Sequence, residues 1–146
     1  MATRAQVAAQ ARGWVGTPFA HQHRARGVGV DCVGLVIGVA RELGLVPEGF
    51  DVTGYATTPD GVALPAQCAA VMQPIPRADM GEGDVVLVAW NGGPPQHLGI
   101  VCTYRHGGLA MVHADNRAHR CVVETRLLFG RSMCFVGAYR LPGVVA

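Results

Sequence analysis

The chain has 146 residues, of which 50% are hydrophobic and 15% are charged, and its formal net charge is +2. These values indicate one folded domain of ordinary size, covering residues 1–146, and argue against intrinsic disorder and against nucleic-acid binding. All twelve basic residues are Arg, so a catalytic lysine and a Schiff base are excluded.

The five cysteines form no CxxC or CxxH pair and their number is odd. We therefore expect neither a disulfide framework nor a structural zinc site, and we expect the protein to fold in a reducing compartment. The first residues do not resemble the apolar region of a signal peptide, and no stretch has the length of a membrane span. The cysteines are Cys32, Cys68, Cys102, Cys121 and Cys134.

Helices are predicted in the first half of the chain. Thr3 and Gln6 have the spacing of a capping box, which predicts an N-terminal helix that ends before 16–18. A loop covers 16–30, and a second helix is expected from Cys32 to about Leu43. This second helix is apolar nearly all round, so it should be buried. Residues 46–62 are rich in turn formers, and a short third helix is plausible at 64–72.

Strands are predicted in the second half. Short apolar segments separated by turns are typical of an antiparallel sheet, here of about five strands. The expected fold class is therefore α+β, with helices preceding the sheet. The predicted strands cover residues 84–90, 97–103, 109–113, 121–124 and 135–140.

Cys32 is the best candidate for a catalytic residue. Asp31 is a good N-cap, so Cys32 should occupy the first position of the second helix. The helix dipole and the free N–H groups there favour a thiolate, which predicts a lowered thiol pKa and a nucleophilic role. The alternative is that Cys32 is a small buried hydrophobic residue, which is the more frequent role of cysteine.

His97 and His113 are candidates for a base and the residue that orients it. If the strands that carry them pair directly, Val101 faces Leu109, and Cys102 faces Gly108 across a loop of residues 103–107. The two imidazoles could then form a hydrogen bond, as Cys-His-X catalysis requires. A shift of one residue would place them on opposite faces of the sheet.

The remaining histidines carry no comparable pattern. His21 and His23 lie two residues apart in a loop, but they lack carboxylate partners at ligand spacing, so we expect no metal site. His106 and His119 lie in predicted turns and should be exposed to solvent. Catalysis by Cys32 and histidines would need no cofactor.

The order of five segments resembles the NlpC/P60 family of cysteine peptidases, in particular its phage-type cell-wall peptidases. The resemblance covers residues 5–140, and its most specific part is the Asp-Cys-x-Gly-Leu-Val motif. The segments are 16–19 (Gly-Thr-Pro-Phe), 27–36 (Gly-Val-Gly-Val-Asp-Cys-Val-Gly-Leu-Val), 83–87 (Gly-Asp-Val-Val-Leu), 97–101 (His-Leu-Gly-Ile-Val) and 112–114 (Val-His-Ala).

The resemblance implies a papain-like core in which the nucleophile helix packs on the antiparallel sheet. It implies a Cys-His-His triad with Cys32 as nucleophile, His97 as base and His113 as the orienting residue. It also implies that Asp31 helps to hold a substrate amine and that Phe19 lies in the substrate site, where the family often has Tyr. The implied substrate is the peptidoglycan stem peptide, cleaved typically at the γ-D-glutamyl–diamino-acid bond.

The phage-type branch further implies a place in a particle. We expect synthesis in a bacterial cytoplasm without a signal peptide, incorporation with other tail-tip proteins into a phage-like tail, and action in the host periplasm. The N-terminal helix, with Val7 and Trp14, and the tail 141–146 are the predicted docking surfaces. Two alternatives remain: an inactive structural tail-tip protein of the same fold, and an acyltransferase of related fold.

Overall fold

The computed structural model describes residues 1–52 and 61–145, and it has an α+β fold. The part of the predicted turn-rich segment 46–62 that covers 53–60 lies outside the described residues. The elements are β1 (Ala2–Thr3), α1 (Arg4–Arg12), β2 (Arg24–Ala25), β3 (Gly29–Val30), α2 (Cys32–Glu42), α3 (Ala63–Val71), β4 (Gln73–Ile75), a 3-10 turn (Arg77–Asp79), β5 (Val85–Trp90), β6 (Pro95–Thr103), β7 (Leu109–Asp115), β8 (Cys121–Arg126), β9 (Met133–Arg140) and β10 (Val144–Val145).

The capping box predicted for α1 is confirmed. The Thr3 hydroxyl accepts a hydrogen bond from the Gln6 amide, and the Gln6 side chain accepts one from the Thr3 amide. The helix then buries Val7 completely, and Trp14 beyond its end is buried too. The prediction that Val7 and Trp14 form a docking surface is therefore wrong, because both side chains pack inside the domain.

The C-terminal tail is likewise part of the fold. Leu141 is buried, and Val144 pairs with Ala2 in a short parallel bridge between β10 and β1. The apolar side chain of Leu141 is thus unavailable for docking, so the docking prediction is wrong for this residue. Val145 is exposed, and for it the prediction stays a prediction.

The central helix α2 agrees with its prediction. Asp31 caps it by accepting a 2.8 Å hydrogen bond from the Gly34 amide, and every residue from Val33 to Ala40 is buried. This burial explains why the helix is apolar on all sides: α1 and the sheet pack against it.

A buried carboxylate ties α1 to the sheet. Asp84, which is fully buried just before β5, accepts hydrogen bonds from the guanidinium groups of Arg4 and Arg140 at 2.7 to 3.1 Å. A charge at this depth is tolerated because it is paired on both sides.

The main sheet is antiparallel and has six strands in the order β4-β9-β5-β6-β7-β8. The five predicted strands form its body. The sixth strand, β4, is a short edge strand after α3 that the sequence pattern did not predict. One face of the sheet packs against α1 and α2, and the other carries a smaller apolar cluster that includes Val101 and Met111.

The register of β6 and β7 differs from the prediction by two residues. Val101 faces Met111 rather than Leu109, and Thr103 faces Leu109, so the connection covers 104–108. A shift of two residues keeps each side chain on its expected face. His97 and His113 are therefore diagonal neighbours on one face instead of direct partners.

Close packing of Trp14, in the turn after α1, against α2 makes Gly38 a sensitive position. A Cβ at Gly38 would overlap with the ring of Trp14, which cannot yield easily because it is buried and its Nε1 donates to Glu42 at 2.7 Å. We expect Gly38→Ala to lower the free energy of unfolding by about 1–3 kcal/mol despite the better helix propensity of Ala. Urea unfolding checks this. Gly49→Ala, at an exposed position with open space around it, should be neutral, and equal stability of the two variants would contradict the packing argument.

Candidate active site

Cys32 is the first residue of α2, as the N-cap predicts. Its side chain is half-buried at the point where α2 meets β6. The backbone N–H of Leu98, the residue after His97, is close enough to the sulfur to lower the pKa of the thiol. The helix start therefore brings the thiol to the strand that carries the candidate base.

The predicted lowering of the Cys32 pKa is wrong for this structure. Burial raises the pKa of the thiol to about 11, and the negative charge of Asp31 acts in the same direction. Hydrogen bonds from the N–H groups of Leu98 and Val33 lower the pKa, but by less. The resting thiol is consequently neutral, and it needs a base to become a nucleophile.

His97 and His113 form a buried pair. His97 Nε2 lies 2.7 Å from His113 Nδ1, and the two rings meet edge to face at an angle of 81°. Diagonal neighbours on adjacent strands are farther apart than direct partners. The two imidazole rings therefore have room to meet edge to face between the strands. The hydrogen bond that the sequence suggested is present, although the register that produces it is different.

Burial lowers the pKa of both imidazoles, to about 3 for His97 and about 4 for His113. The positive charge of His113 would lower the pKa of His97 further, whereas the Asp115 carboxylate raises both values. Both rings are therefore neutral at physiological pH, as a general base must be before it accepts a proton.

This burial predicts how stability depends on pH. An unfolded chain protonates its histidines near pH 6.5, whereas the folded pair stays neutral until about pH 4. The unfolded state then binds more protons in this window, so stability should fall as the pH decreases, by up to about 1.4 kcal/mol per pH unit for each histidine. Urea unfolding between pH 7 and pH 5 measures the slope.

The matched control for this prediction is the double variant His97→Gln/His113→Gln, which should have a flatter pH dependence. Imidazole NMR signals of His97 and His113 that titrate near pH 6.5 in the folded protein would contradict the prediction, because the folded and unfolded pKa values would then be equal.

The structure does not join all three candidate catalytic residues. It joins His97 to His113, and it places Cys32 at the amide next to His97. Within residues 1–52 and 61–145, no hydrogen bond connects the Cys32 sulfur to the His97 ring. His97 Nδ1 also has no hydrogen-bond partner among these residues.

Three residues around the histidines were missed by the sequence reasoning. Thr125 on β8 lies 2.9 Å from His113, through Oγ1 and Nε2. The ring of Trp90 stacks on His97 at 5.3 Å, and the guanidinium of Arg117 lies 4.4 Å above Trp90. The pairing of strands brings them together, and no short sequence motif signals that pairing.

The loop that carries Arg117 is held by Asp115. This buried carboxylate accepts hydrogen bonds from the backbone amides of Arg117, Ala118 and His119, and from His119 Nδ1. Burial acts to raise the Asp115 pKa, but these hydrogen bonds lower it well below its usual range. His119 is exposed, as predicted, and it nevertheless contributes to this anchor.

The two predicted substrate-binding residues occupy different environments. Asp31 is buried and accepts hydrogen bonds from the Gln22 amide and the Arg24 guanidinium, besides its capping bond to Gly34. Phe19 is half-buried, bridges to Val30, and donates its amide to a carbonyl of the loop after β7. Both residues thus border the start of α2.

No group of three or more His, Cys, Asp or Glu side chains is arranged to hold a metal ion in the part of the chain that the structure describes. None of the helices described here is long and apolar enough to cross a membrane.

The sequence matches no family model and no curated protein. Some solved structures, however, are similar to this chain in fold. The NlpC/p60 domain of the peptidoglycan hydrolase SagA aligns with a TM-score of 0.63 and 21% identity over 95% of this chain and 99% of that one. NlpC2 from Trichomonas vaginalis has a TM-score of 0.66 and 17% identity over 97% of this chain and 48% of its own. An N-acetylmuramoyl-L-alanine amidase from Bacteroides uniformis has a TM-score of 0.58 and 13% identity over 95% of this chain and 98% of its own. The chain therefore has the α+β fold of NlpC/P60 domains.

Proposed function

We propose that this chain is a cysteine peptidase of the NlpC/P60 family that hydrolyses peptidoglycan stem peptides. One observation carries the proposal: the hydrogen-bonded pair of His97 and His113 lies on β6 and β7, and the thiol at the start of α2 contacts the amide that follows His97. This is the set of groups that thiol-dependent amide hydrolysis needs, on a fold shared with a peptidoglycan hydrolase and an amidase.

In the proposed reaction, His97 Nδ1 takes the proton of the Cys32 thiol while the sulfur attacks the amide carbonyl. The raised thiol pKa and the lowered imidazole pKa favour a neutral pair at rest, so proton transfer accompanies the attack. The His97 imidazolium then gives its proton to the leaving amine, and the carbon–nitrogen bond breaks. Water, deprotonated by His97, hydrolyses the thioester and releases Cys32.

The start of α2 supplies a site for the oxyanion. Gly34 and Leu35 already donate their amides to the side chain and the carbonyl of Asp31. The Cys32 and Val33 amides instead act on the Cys32 sulfur, where their hydrogen bonds lower the pKa of the thiol. We assign these two amides to the negative charge that develops on the carbonyl oxygen, because they are fixed beside the sulfur.

Asp31 and Phe19 complete the proposed substrate site. A substrate amine bound to Asp31 would compete with Arg24 and Gln22 for the carboxylate oxygens. Binding would therefore move the loop that contains these two residues. Phe19 would contribute an apolar contact without the hydroxyl group that a Tyr would offer.

Defined muropeptides test this function. The purified protein is incubated with them, and mass spectrometry identifies the products. A new free amine on the diamino acid supports the γ-D-glutamyl–diamino-acid bond as the target, whereas release of the whole stem peptide from the sugar would indicate an amidase. Transfer of the acyl group to an added amine would indicate an acyltransferase. Absence of any product would support the inactive structural alternative.

We further propose that the protein acts from a phage-like tail tip, together with other tail proteins, to open the host wall locally in the periplasm. The resemblance to phage-type peptidases supports this proposal. Co-purification with tail particles tests it. If the protein is found only free in a lysate, and assembly of particles does not affect wall degradation, it is a lysis enzyme instead.

A further inference from the structure

We infer that Thr125 is a fourth member of the catalytic hydrogen-bond chain, which positions the base His97 by acting through His113. The inference rests on the proposed function. Its basis is a continuous chain of side chains across three adjacent strands: His97 on β6, His113 on β7 and Thr125 on β8.

The sheet register places these side chains on one face. Val123 faces His113 directly, and Thr125 faces Met111, so Thr125 is a diagonal neighbour of His113. Its hydroxyl lies 2.9 Å from His113 Nε2, while His113 Nδ1 lies 2.7 Å from His97 Nε2. Both nitrogens of His113 are therefore engaged, one with the base and one with Thr125.

The proposed reaction requires one tautomer of His97, and this chain can hold it. When the Thr125 oxygen accepts from His113 Nε2–H, His113 Nδ1 carries a lone pair and accepts from His97 Nε2–H. The His97 proton is then on Nε2, and Nδ1 is free to take the thiol proton. The opposite direction would place the proton on His97 Nδ1, where it would prevent His97 from acting as a base.

The same direction of hydrogen bonding is also suitable when His97 is protonated during the reaction. When His97 becomes an imidazolium, it still donates through Nε2, so neither His113 nor Thr125 has to reorient. Without the hydroxyl group, the buried Nε2–H of His113 would lose its acceptor, and the alternative tautomer would become populated. Thr125 thus keeps the base in the form that reacts.

The matched variants are Thr125→Val, which keeps the shape and removes the hydroxyl, and Thr125→Ser, which keeps the hydroxyl. We expect Thr125→Val to lower kcat by about tenfold to hundredfold with little change in KM, and Thr125→Ser to stay within about threefold of the wild type. Thr103→Val, at the far end of β6, is the control for a general effect of the substitution. Wild-type kcat in Thr125→Val would overturn the inference.

A second measurement does not depend on activity. Two-bond ¹H–¹⁵N NMR spectra of the wild type should show His97 and His113 both protonated at Nε2, and Thr125→Val should shift His113 toward the Nδ1-protonated form. A wild-type His113 protonated at Nδ1 would overturn the inference even if Thr125→Val failed to fold. If the protein has no hydrolytic activity, the proposed function fails, while these spectra still decide the role of Thr125.

Discussion

Replacing Cys32 by Ala should abolish hydrolysis of stem peptides, with a rate loss of roughly 10⁴- to 10⁶-fold. The loss should be this large because the thiol is the only group proposed to form the covalent intermediate, and neither histidine can replace it. Stability should change by only about 1 kcal/mol, since Ala removes one sulfur atom from a half-buried position. Chromatography of muropeptide products measures the rate, and thermal unfolding checks the fold.

Cys134→Ala is the matched control for this prediction. Cys134, on β9, is also half-buried, and its thiol lies 3.4 Å from the Gly130 carbonyl in the preceding loop. In the sheet, β5 separates β9 from the strands that carry the two histidines. This variant should keep full activity. Activity that survived in Cys32→Ala would assign the nucleophile to another group and remove the proposed mechanism.

The features predicted correctly from the sequence are those determined by interactions between residues that are close together along the chain. The capping box at Thr3 and Gln6, the N-cap Asp31 and the apolar pattern of α2 depend on residues within a few positions of each other. These interactions specify where a helix begins and how deeply it is buried. They therefore place Cys32 at the helix start before any tertiary contact is known.

The register of the sheet was harder to predict because it depends on turn geometry. The Gly107-Gly108 pair lets the chain turn one residue later than predicted, with positive φ at both positions, and this shifts the pairing by two residues. The face of each histidine was still predicted correctly, because an even shift preserves side-chain alternation.

The electrostatics of the site could not be predicted from the helix start alone. The helix dipole at the start of α2 favours a thiolate, but burial of Cys32 under neighbouring residues has the larger effect on the pKa and raises it. Likewise, the contacts of Thr125, Trp90 and Arg117 with the histidine pair arise from the pairing of strands and from a loop anchored by Asp115. Long-range contacts of this kind have no fixed spacing along the chain.

The histidine pair gives the second large prediction. His97→Ala should reduce activity as severely as Cys32→Ala, because a thiol with a pKa of about 11 is not ionised without a base. His106→Ala, at an exposed turn position, is the control and should keep wild-type activity. Full activity in His97→Ala would show that another group takes the thiol proton.

His113 should matter less than His97, because it touches the base and not the substrate. His113→Ala should lower kcat by about 10²- to 10⁴-fold, since His97 Nε2–H loses the acceptor that fixes its tautomer. His113→Asn offers a carbonyl oxygen in place of Nδ1, so it should recover at least about tenfold of that loss. Steady-state kinetics on one defined muropeptide compares the three proteins. If the kcat of His113→Asn were no higher than that of His113→Ala, the role of His113 would not be to accept a hydrogen bond from His97. The proposed order of the hydrogen-bond chain, from the base to the orienting residue, would then have to be revised.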